Sequence, residues 1–404
     1  MNKPLSGIKV LELATFVAAP SCCRLLADLG AEVIKVEHPK GDGWRPMAMG
    51  LLPNRFTPEE NPVFDIYNSG KEHIAINLKS EKGMEAFHKL LAQADVFVTN
   101  SRPAALHRLG LAYEDIKEKY PSLIYAIILG YGEKGPDAAM PAFDTTAFWS
   151  RSGFLRDMAV NMDGYMPVNA PSAVGDTAVG YLLLAEICAA LYKRKETGKG
   201  DYLRSGLFHN AIFTMGTMQI ITQRPFGREY PMTRARYGSP NGAFQCADGE
   251  WIFMAPGAGS AGLDTVCDMV GHPDLLSDPR FNTVAGRKEH YQEWYEIFRD
   301  AIAKKSCAEW IKLGKERDVA ITRMGTFADL AEDEQAWAND YLEHVEFPNG
   351  NVDVMPRSPI EMDSVGTLTT KLAHGIGADT QKILKELGYA EEEIAAMQAD
   401  GAVK

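Results

Sequence analysis

Apolar and polar positions recur at two different periods along the first 130 residues. Gly7–Leu13 (GIKVLEL) and Ala31–Glu37 (AEVIKVE) are short β-branched and leucine runs, and Pro20–Gly30 between them carries helical spacing. The same alternation predicts strands at Ile74–Leu78, Asp95–Thr99 and Leu123–Leu129, with helices at Lys82–Ala94 and Ala112–Lys119. Strands alternating with helices predict an α/β fold with a Rossmann-like parallel sheet. After a glycine- and proline-rich stretch at residues 130–141 and an irregular segment to Ala173, a long helix is expected over Thr177–Glu196, closed by Thr197-Gly198-Lys199-Gly200.

The expected domains are a large Rossmann-like domain over residues 1–200, a helical linker over 201–224 and a smaller α/β domain over 225–325. A C-terminal segment, 326–404, returns to pack on the large domain. The smaller domain announces itself at Phe244–Ala255 (FQCADGEWIFMA), where Ala247-Asp248-Gly249-Glu250 reads as a turn between two strands. Helices then dominate to about Gly314 and return at Asp379–Leu387 and Ala390–Gln398.

Composition narrows the picture. With 46% apolar and 24% charged residues among 404, the chain has material for two packed cores. The net charge of -12 argues against a nucleic-acid partner, so an anionic ligand must be held by local cations. Cys22, Cys23, Cys188, Cys246, Cys267 and Cys307 form no CxxC or metal-like spacing and read as reduced thiols of a cytoplasmic protein. The longest apolar run, Val179–Tyr192, falls short of a membrane span and contains Glu186, so no membrane role is expected. No metal site is expected either.

The turn after the first strand reads Ala14-Thr15-Phe16-Val17-Ala18-Ala19-Pro20 and lacks the glycines that let a pyrophosphate approach backbone, which argues against a dinucleotide dehydrogenase. Walker A, GxSxG and HExxH patterns are missing as well. What stands out is Gly175-Asp176-Thr177-Ala178-Val179-Gly180, an acid between small residues at the start of an apolar helix. On position alone Asp176 reads as an N-cap, held ionised by backbone N–H groups and the helix dipole, with the two glycines leaving room for a ligand.

The pattern GDxxxG, in company with LxGIKVLEL, LLADLGAEVIKVE, Gly41-Asp42-Gly43-Trp44-Arg45, INLKS (76–80) and Asn100-Ser101-Arg102-Pro103 followed by Arg108-Leu109-Gly110-Leu111, resembles the class III CoA-transferases of the formyl-CoA transferase and carnitine CoA-transferase type. The resemblance implies an interlocked homodimer and a cycle in which Asp176 attacks an acyl-CoA. A mixed anhydride and then an aspartyl-CoA thioester follow, with no cofactor beyond CoA as co-substrate. It implies CoA contacts from Val17, His38, Ile76, Lys79, Asn100, Arg102, Arg108 and Leu109, with Asp144 nearby. Gly238 and Gly242 in YGSPNG are the candidates to supply backbone N–H groups around the anhydride.

Three positions depart from formyl-CoA transferase: Val17 replaces a glutamine near the acyl group, His38 an arginine, and Pro141 a lysine. An α-methylacyl-CoA racemase of the same superfamily would need a histidine where this chain has Phe143, so a second proton carrier is lacking. A non-catalytic CoA-binding protein is the other alternative, distinguished by never becoming covalently modified. Within the family the chain looks closest to the branch of anaerobic amino-acid fermentation. There a (R)-2-hydroxy acid such as phenyllactate, 2-hydroxyisocaproate or lactate receives CoA, and Phe16, Val17, Phe143, Phe148 and Trp149 could wall an apolar pocket.

Overall fold

A computed structural model describes residues 3–52, 60–160, 168–171, 173–256 and 262–404; residues 161–167 and 172 of the irregular stretch before Ala173 lie outside them. The chain forms two compact units. The first comprises Met1–Ser152, Ala170–Thr217 and Asp333–Lys404, and the second Gly153–Asn169 and Met218–Glu332.

Six strands build the sheet of the first unit: β1 (Lys9–Leu13), β2 (Glu32–Glu37), β3 (Glu72–Ala75), β4 (Val96–Thr99), β5 (Ile124–Leu129) and β6 (Tyr202–Gly206). All pairs are parallel and the order is β3-β2-β1-β4-β5-β6. This is the doubly wound arrangement expected from the alternation. Its direction reverses between β1 and β4, and a crevice opens there beyond the carboxyl ends of the strands.

Each face of the sheet has its own apolar layer. On one face Phe87, Leu90, Phe97, Tyr125 and Ile383 pack together; on the other, Cys22, Leu26, Val98, Ala126, Val179 and Leu183 do. The long helix Val174–Thr197 belongs to the second layer and lies against helix Ala18–Asp28. By length and composition it could cross a membrane, which the 14-residue run in the sequence understates. Its Val179, Leu183, Ile187 and Leu191 are buried within the protein's own core instead.

The expected linker over 201–224 is not one. Its first residues are β6, which extends the sheet beyond β5, and helix Leu207–Thr214 follows at once, so the first unit runs on to Thr217. The predicted helix at Ala112–Lys119 shrinks to the single turn Tyr113–Ile116. In the second unit β7 (Gly242–Gln245) and β8 (Trp251–Met254) form the expected hairpin, and β9 (Ile321–Arg323), unforeseen, adds a third antiparallel strand. Phe244, Ile252, Trp294, Phe298 and Trp310 fill its core. The returning C-terminal segment adds the hairpin of β10 (Leu342–Glu346) and β11 (Val352–Pro356), then two helices that cover the first sheet.

Four charged side chains lie fully buried around β1 and β2. Lys35 Nζ donates to Glu12 Oε1 at 2.7 Å and to the Ala14 carbonyl at 2.9 Å, and forms an ion pair with Asp42 Oδ2 at 3.0 Å. Lys71 Nζ donates to the Pro20 carbonyl at 2.9 Å and Asn68 Oδ1 at 3.2 Å, and pairs with Glu12 Oε2 at 2.7 Å. Burial pushes the Glu12 carboxyl up, but the two ammonium groups outweigh it and hold the group below its ordinary range. Lys35 is likewise held above its ordinary value by Glu12, Asp42 and Glu37 against the cost of burial.

Removing one member strands the others. Lys35→Met, which keeps the stem and deletes the charge, should destabilise the protein by about 3–5 kcal/mol in urea unfolding followed by circular dichroism, because Glu12 and Asp42 lose a buried partner.

Candidate active site

Asp42 turns the buried charges into a loop-positioning device. Its Oδ1 accepts the backbone N–H groups of Phe16 (3.2 Å) and Trp44 (2.9 Å), while its own N–H donates to Glu37 Oε2 at 2.8 Å. Arg45 holds Glu37 through both oxygens, with Nε at 2.9 Å and Nη2 at 2.7 Å. From the far side of the crevice Asn100, just past β4, accepts the Thr15 N–H at 3.0 Å and donates to the Thr15 carbonyl at 2.7 Å. Between these clamps Phe16 adopts φ 63°, a left-handed conformation that costs a side-chain-bearing residue about 1 kcal/mol or more. Its ring faces Trp44 at 6.3 Å and meets Phe143 edge-on at 5.9 Å and 85°.

Asp176 reaches the same place from the long helix, whose first residue is Val174; Ala173, at φ 67°, is the N-cap and offers no side-chain bond. The carboxylate at this helix start is Asp144, which opens a π-helix over Asp144–Ser150. Burial raises its carboxyl above the ordinary range, opposed by the Trp149 indole at 3.2 Å and by the backbone N–H groups of Gly175, Asp176 and Ala173 that face it. Asp176 therefore does not take the capping role read for it, and the helix-start N–H groups face the Asp144 carboxylate instead.

The two glycines make room for protein and not for a ligand. A Cβ at Gly175 would collide with the Asp144 carboxylate and the Phe148 ring, and one at Gly180 with the Ser21 hydroxyl and Ala18 carbonyl. Asp176 itself is not held ionised: burial, then the neighbouring charge of Asp144, push its carboxyl up to about 7.

A cavity of about 380 Å³ at the switch point joins Phe16, Asn100, Arg102, Pro141, Phe143 and Asp176. Arg102 is exposed at the start of helix Pro103–Leu109, and Phe143 is 56% exposed. Of the other anticipated residues, Val17 and Ile76 are buried at 2% and 1%, Val17 against Trp44 and Phe64 and Ile76 in the sheet layer, so neither side chain faces a ligand. Phe148 and Trp149 are buried beside Asp144 and do not line the cavity. His38, Lys79 and Arg108 are exposed and Leu109 is half-buried, all outside the lining. Gly238 and Gly242 belong to the second unit, where Gly238 closes helix Arg234–Gly238 and Gly242 opens β7 beside a cavity of about 340 Å³.

Asp42 and Lys35 were missed as site residues. The signal was present: Glu12 and Lys35 are charges inside strands otherwise built from apolar residues, and Asp42 sits in the GDGWR phrase. Among the described residues no cluster of histidine, cysteine, aspartate and glutamate could hold a metal, and the six cysteines are free thiols.

The cavity at the switch point thus brings together a largely buried carboxylate and an exposed arginine. The sequence profile of CoA-transferase family III spans residues 5–380, and the chain belongs to that family. It is 41% identical to (R)-2-hydroxy-4-methylpentanoate CoA-transferase of Clostridioides difficile, over 96% of this chain and 97% of the relative. It is 39% identical to cinnamoyl-CoA:phenyllactate CoA-transferase of Clostridium sporogenes, over 98% and 96%. A CAIB/BAIF family protein from Brucella suis superposes with a TM-score of 0.79 at 27% identity, covering 96% of this chain and all of that one. The chain is thus a CoA-transferase, with CoA as co-substrate.

The raised Asp176 carboxyl has a consequence for stability. Its folded-state value of about 7 lies above the ordinary 3.8, so the folded protein binds this proton more tightly and loses stability as pH rises from about 4 to 7. Asp176→Asn should therefore melt higher than the parent at pH 8, by up to about 4 kcal/mol, with the gain vanishing near pH 4. Thermal melts across that range test this.

Proposed function

We propose that this enzyme moves CoA from an acyl-CoA to a (R)-2-hydroxy acid with an apolar side chain, using Asp176 as the acyl and CoA carrier. The observation that carries the reading is Asp176 opening into a cavity whose wall includes the Phe16 and Phe143 rings. The names of the two clostridial relatives, one acting on a branched and one on an aromatic hydroxy acid, point the same way.

In this reading the ionised Asp176 carboxylate adds to the thioester carbonyl of the donor and expels CoA thiolate, giving a mixed anhydride. The thiolate then adds to the aspartyl carbonyl, releasing the first acid as its carboxylate and leaving an aspartyl-CoA thioester. The incoming hydroxy acid's carboxylate expels the thiolate again, forming a second anhydride. Attack of the thiolate on its acyl carbon releases the hydroxyacyl-CoA and restores Asp176. Each step exchanges acyl bonds of similar energy, so the protein's work is positioning and exclusion of water. A carboxyl titrating near 7 supplies both a usable fraction of anion at neutral pH and more intrinsic nucleophilicity than an ordinary carboxylate.

Arg102 is assigned to the CoA phosphates, as an exposed cation at the cavity of a chain whose net charge is negative. The protein is read as a cytoplasmic homodimer. Its large apolar surface supports pairing: Tyr192 is 70% and Phe213 84% exposed, and Val174, Tyr181 and Leu182 are open on the long helix. Racemase chemistry lacks support at Phe143, which carries no proton and packs against Phe16.

Incubation with 4-methylpentanoyl-CoA and a panel of acids should give transfer to (R)-2-hydroxy-4-methylpentanoate or (R)-phenyllactate with kcat/KM at least about 100-fold above oxalate. Intact-protein mass spectrometry should find a CoA-sized adduct that Asp176→Asn abolishes. Undiminished transfer by Asp176→Ala refutes the mechanism. Arg102→Ala should raise KM for acyl-CoA about tenfold while kcat stays within about twofold, measured by steady-state kinetics.

A further inference from the structure

We infer that the Phe16–Phe143 pair is a water gate, set in place by Asp42 and Asn100, that makes a carboxylate and not water the acceptor of the Asp176-bound acyl group. The inference rests on the proposed carrier role of Asp176 and adds to it the question of what decides the fate of the intermediate. Water adding to the acyl carbon of the anhydride would expel the Asp176 carboxylate, release the free acid and give up one proton. The net result is hydrolysis of the donor. Bulk water outnumbers any acid acceptor by orders of magnitude, so transfer requires that the space around that carbon be dry before the acceptor arrives.

Three observations place this task on the aromatic pair. Both rings line the cavity into which Asp176 opens, and neither offers a hydrogen bond that would hold a water there. They meet edge to face at 5.9 Å and 85°, a geometry that closes the space between them. Phe16 is also kept in a left-handed conformation that a residue with a side chain avoids unless its surroundings impose it. The imposition is specific: Asp42 takes its N–H at 3.2 Å, and Asn100 takes both backbone groups of Thr15 before it, at 3.0 and 2.7 Å. Asp42 is in turn fixed by Lys35 at 3.0 Å in a site closed to solvent. Core packing alone does not account for Phe143, which is 56% exposed and whose ring neighbour is Phe16. Asp42 and Asn100 are thus positioning residues, acting through Phe16.

The test compares hydrolysis with transfer in the full chain. Free CoA released from 4-methylpentanoyl-CoA without acceptor is followed with a thiol reagent, and hydroxyacyl-CoA formed with (R)-2-hydroxy-4-methylpentanoate by chromatography. Phe16→Ala and Phe143→Ala should each raise the hydrolysis-to-transfer ratio on the order of tenfold or more, and Phe143→Leu should return it toward the parent. Asp42→Asn should raise the ratio as well; if it does not fold, the two alanine variants decide. A ratio unchanged in both alanine variants, even with slower transfer, overturns the gate. In Asp176→Asn/Phe143→Ala hydrolysis should vanish along with transfer. Persisting hydrolysis there would place water on the thioester itself and refute Asp176 as carrier, a failure distinct from an unchanged ratio.

Discussion

The geometry of the crevice depends on one ammonium group. Lys35 reaches from β2 beneath the first loop and is the common partner of Glu12, Asp42 and the Ala14 carbonyl. Burying a charge carries a desolvation penalty of several kcal/mol, recovered only when the geometry is good and every proton finds an acceptor. Here Lys35 and Lys71 share Glu12, Asp42 supplies the second carboxylate, and two positive and two negative groups close to neutrality. Such a cluster tolerates little displacement, which makes it a suitable anchor for a strained loop. The Thr15–Phe16 segment is hung from it through Asp42 and pinned opposite by Asn100.

A second constraint is steric. Helix Val174–Thr197 approaches helix Ala18–Asp28 so closely that only glycine fits at position 180, and Asp144 and Phe148 so closely that only glycine fits at 175. That approach brings the Asp144 carboxylate to face the backbone N–H groups of the helix start. Asp176, without a capping role, is left with its carboxyl largely buried and beside one like charge. Both raise its affinity for a proton. The same residue as a hydrogen-bonded cap would be a more stable anion.

The sheet was legible because its signal is local: β1 to β5 are short apolar runs between helical periods. β6 was not. Its sequence Tyr-Leu-Arg-Ser-Gly has a half-exposed start and an arginine in the middle, as suits an edge strand that pairs on one side with β5, and it gains strand character only from that partner. β9, three residues long, has the same excuse. At the site, Asp176 stood out through its company of motifs and Phe16, Asn100, Arg102 and Phe143 through resemblance, and all five meet in one cavity. Val17 and Ile76 did not, since apolar residues beside a loop look alike whether they point outward or, as these do, into the core. Lys35 and Asp42 went unread as site residues because their importance lies in pairing across the sheet, and a charge inside an apolar strand marks a buried partner without naming it.

Electrostatics and shape are thereby divided between two neighbouring places. The buried ammonium groups of Lys35 and Lys71 are paired within their own cluster, while burial and the neighbouring Asp144 raise the Asp176 carboxyl. Had either ammonium faced the cavity, it would have lowered the Asp176 carboxyl. By keeping those cations behind the loop, the fold uses them to hold Asp42 and, through it, Phe16. Arg102, the cation that does line the cavity, is exposed, where solvent screens its effect on Asp176.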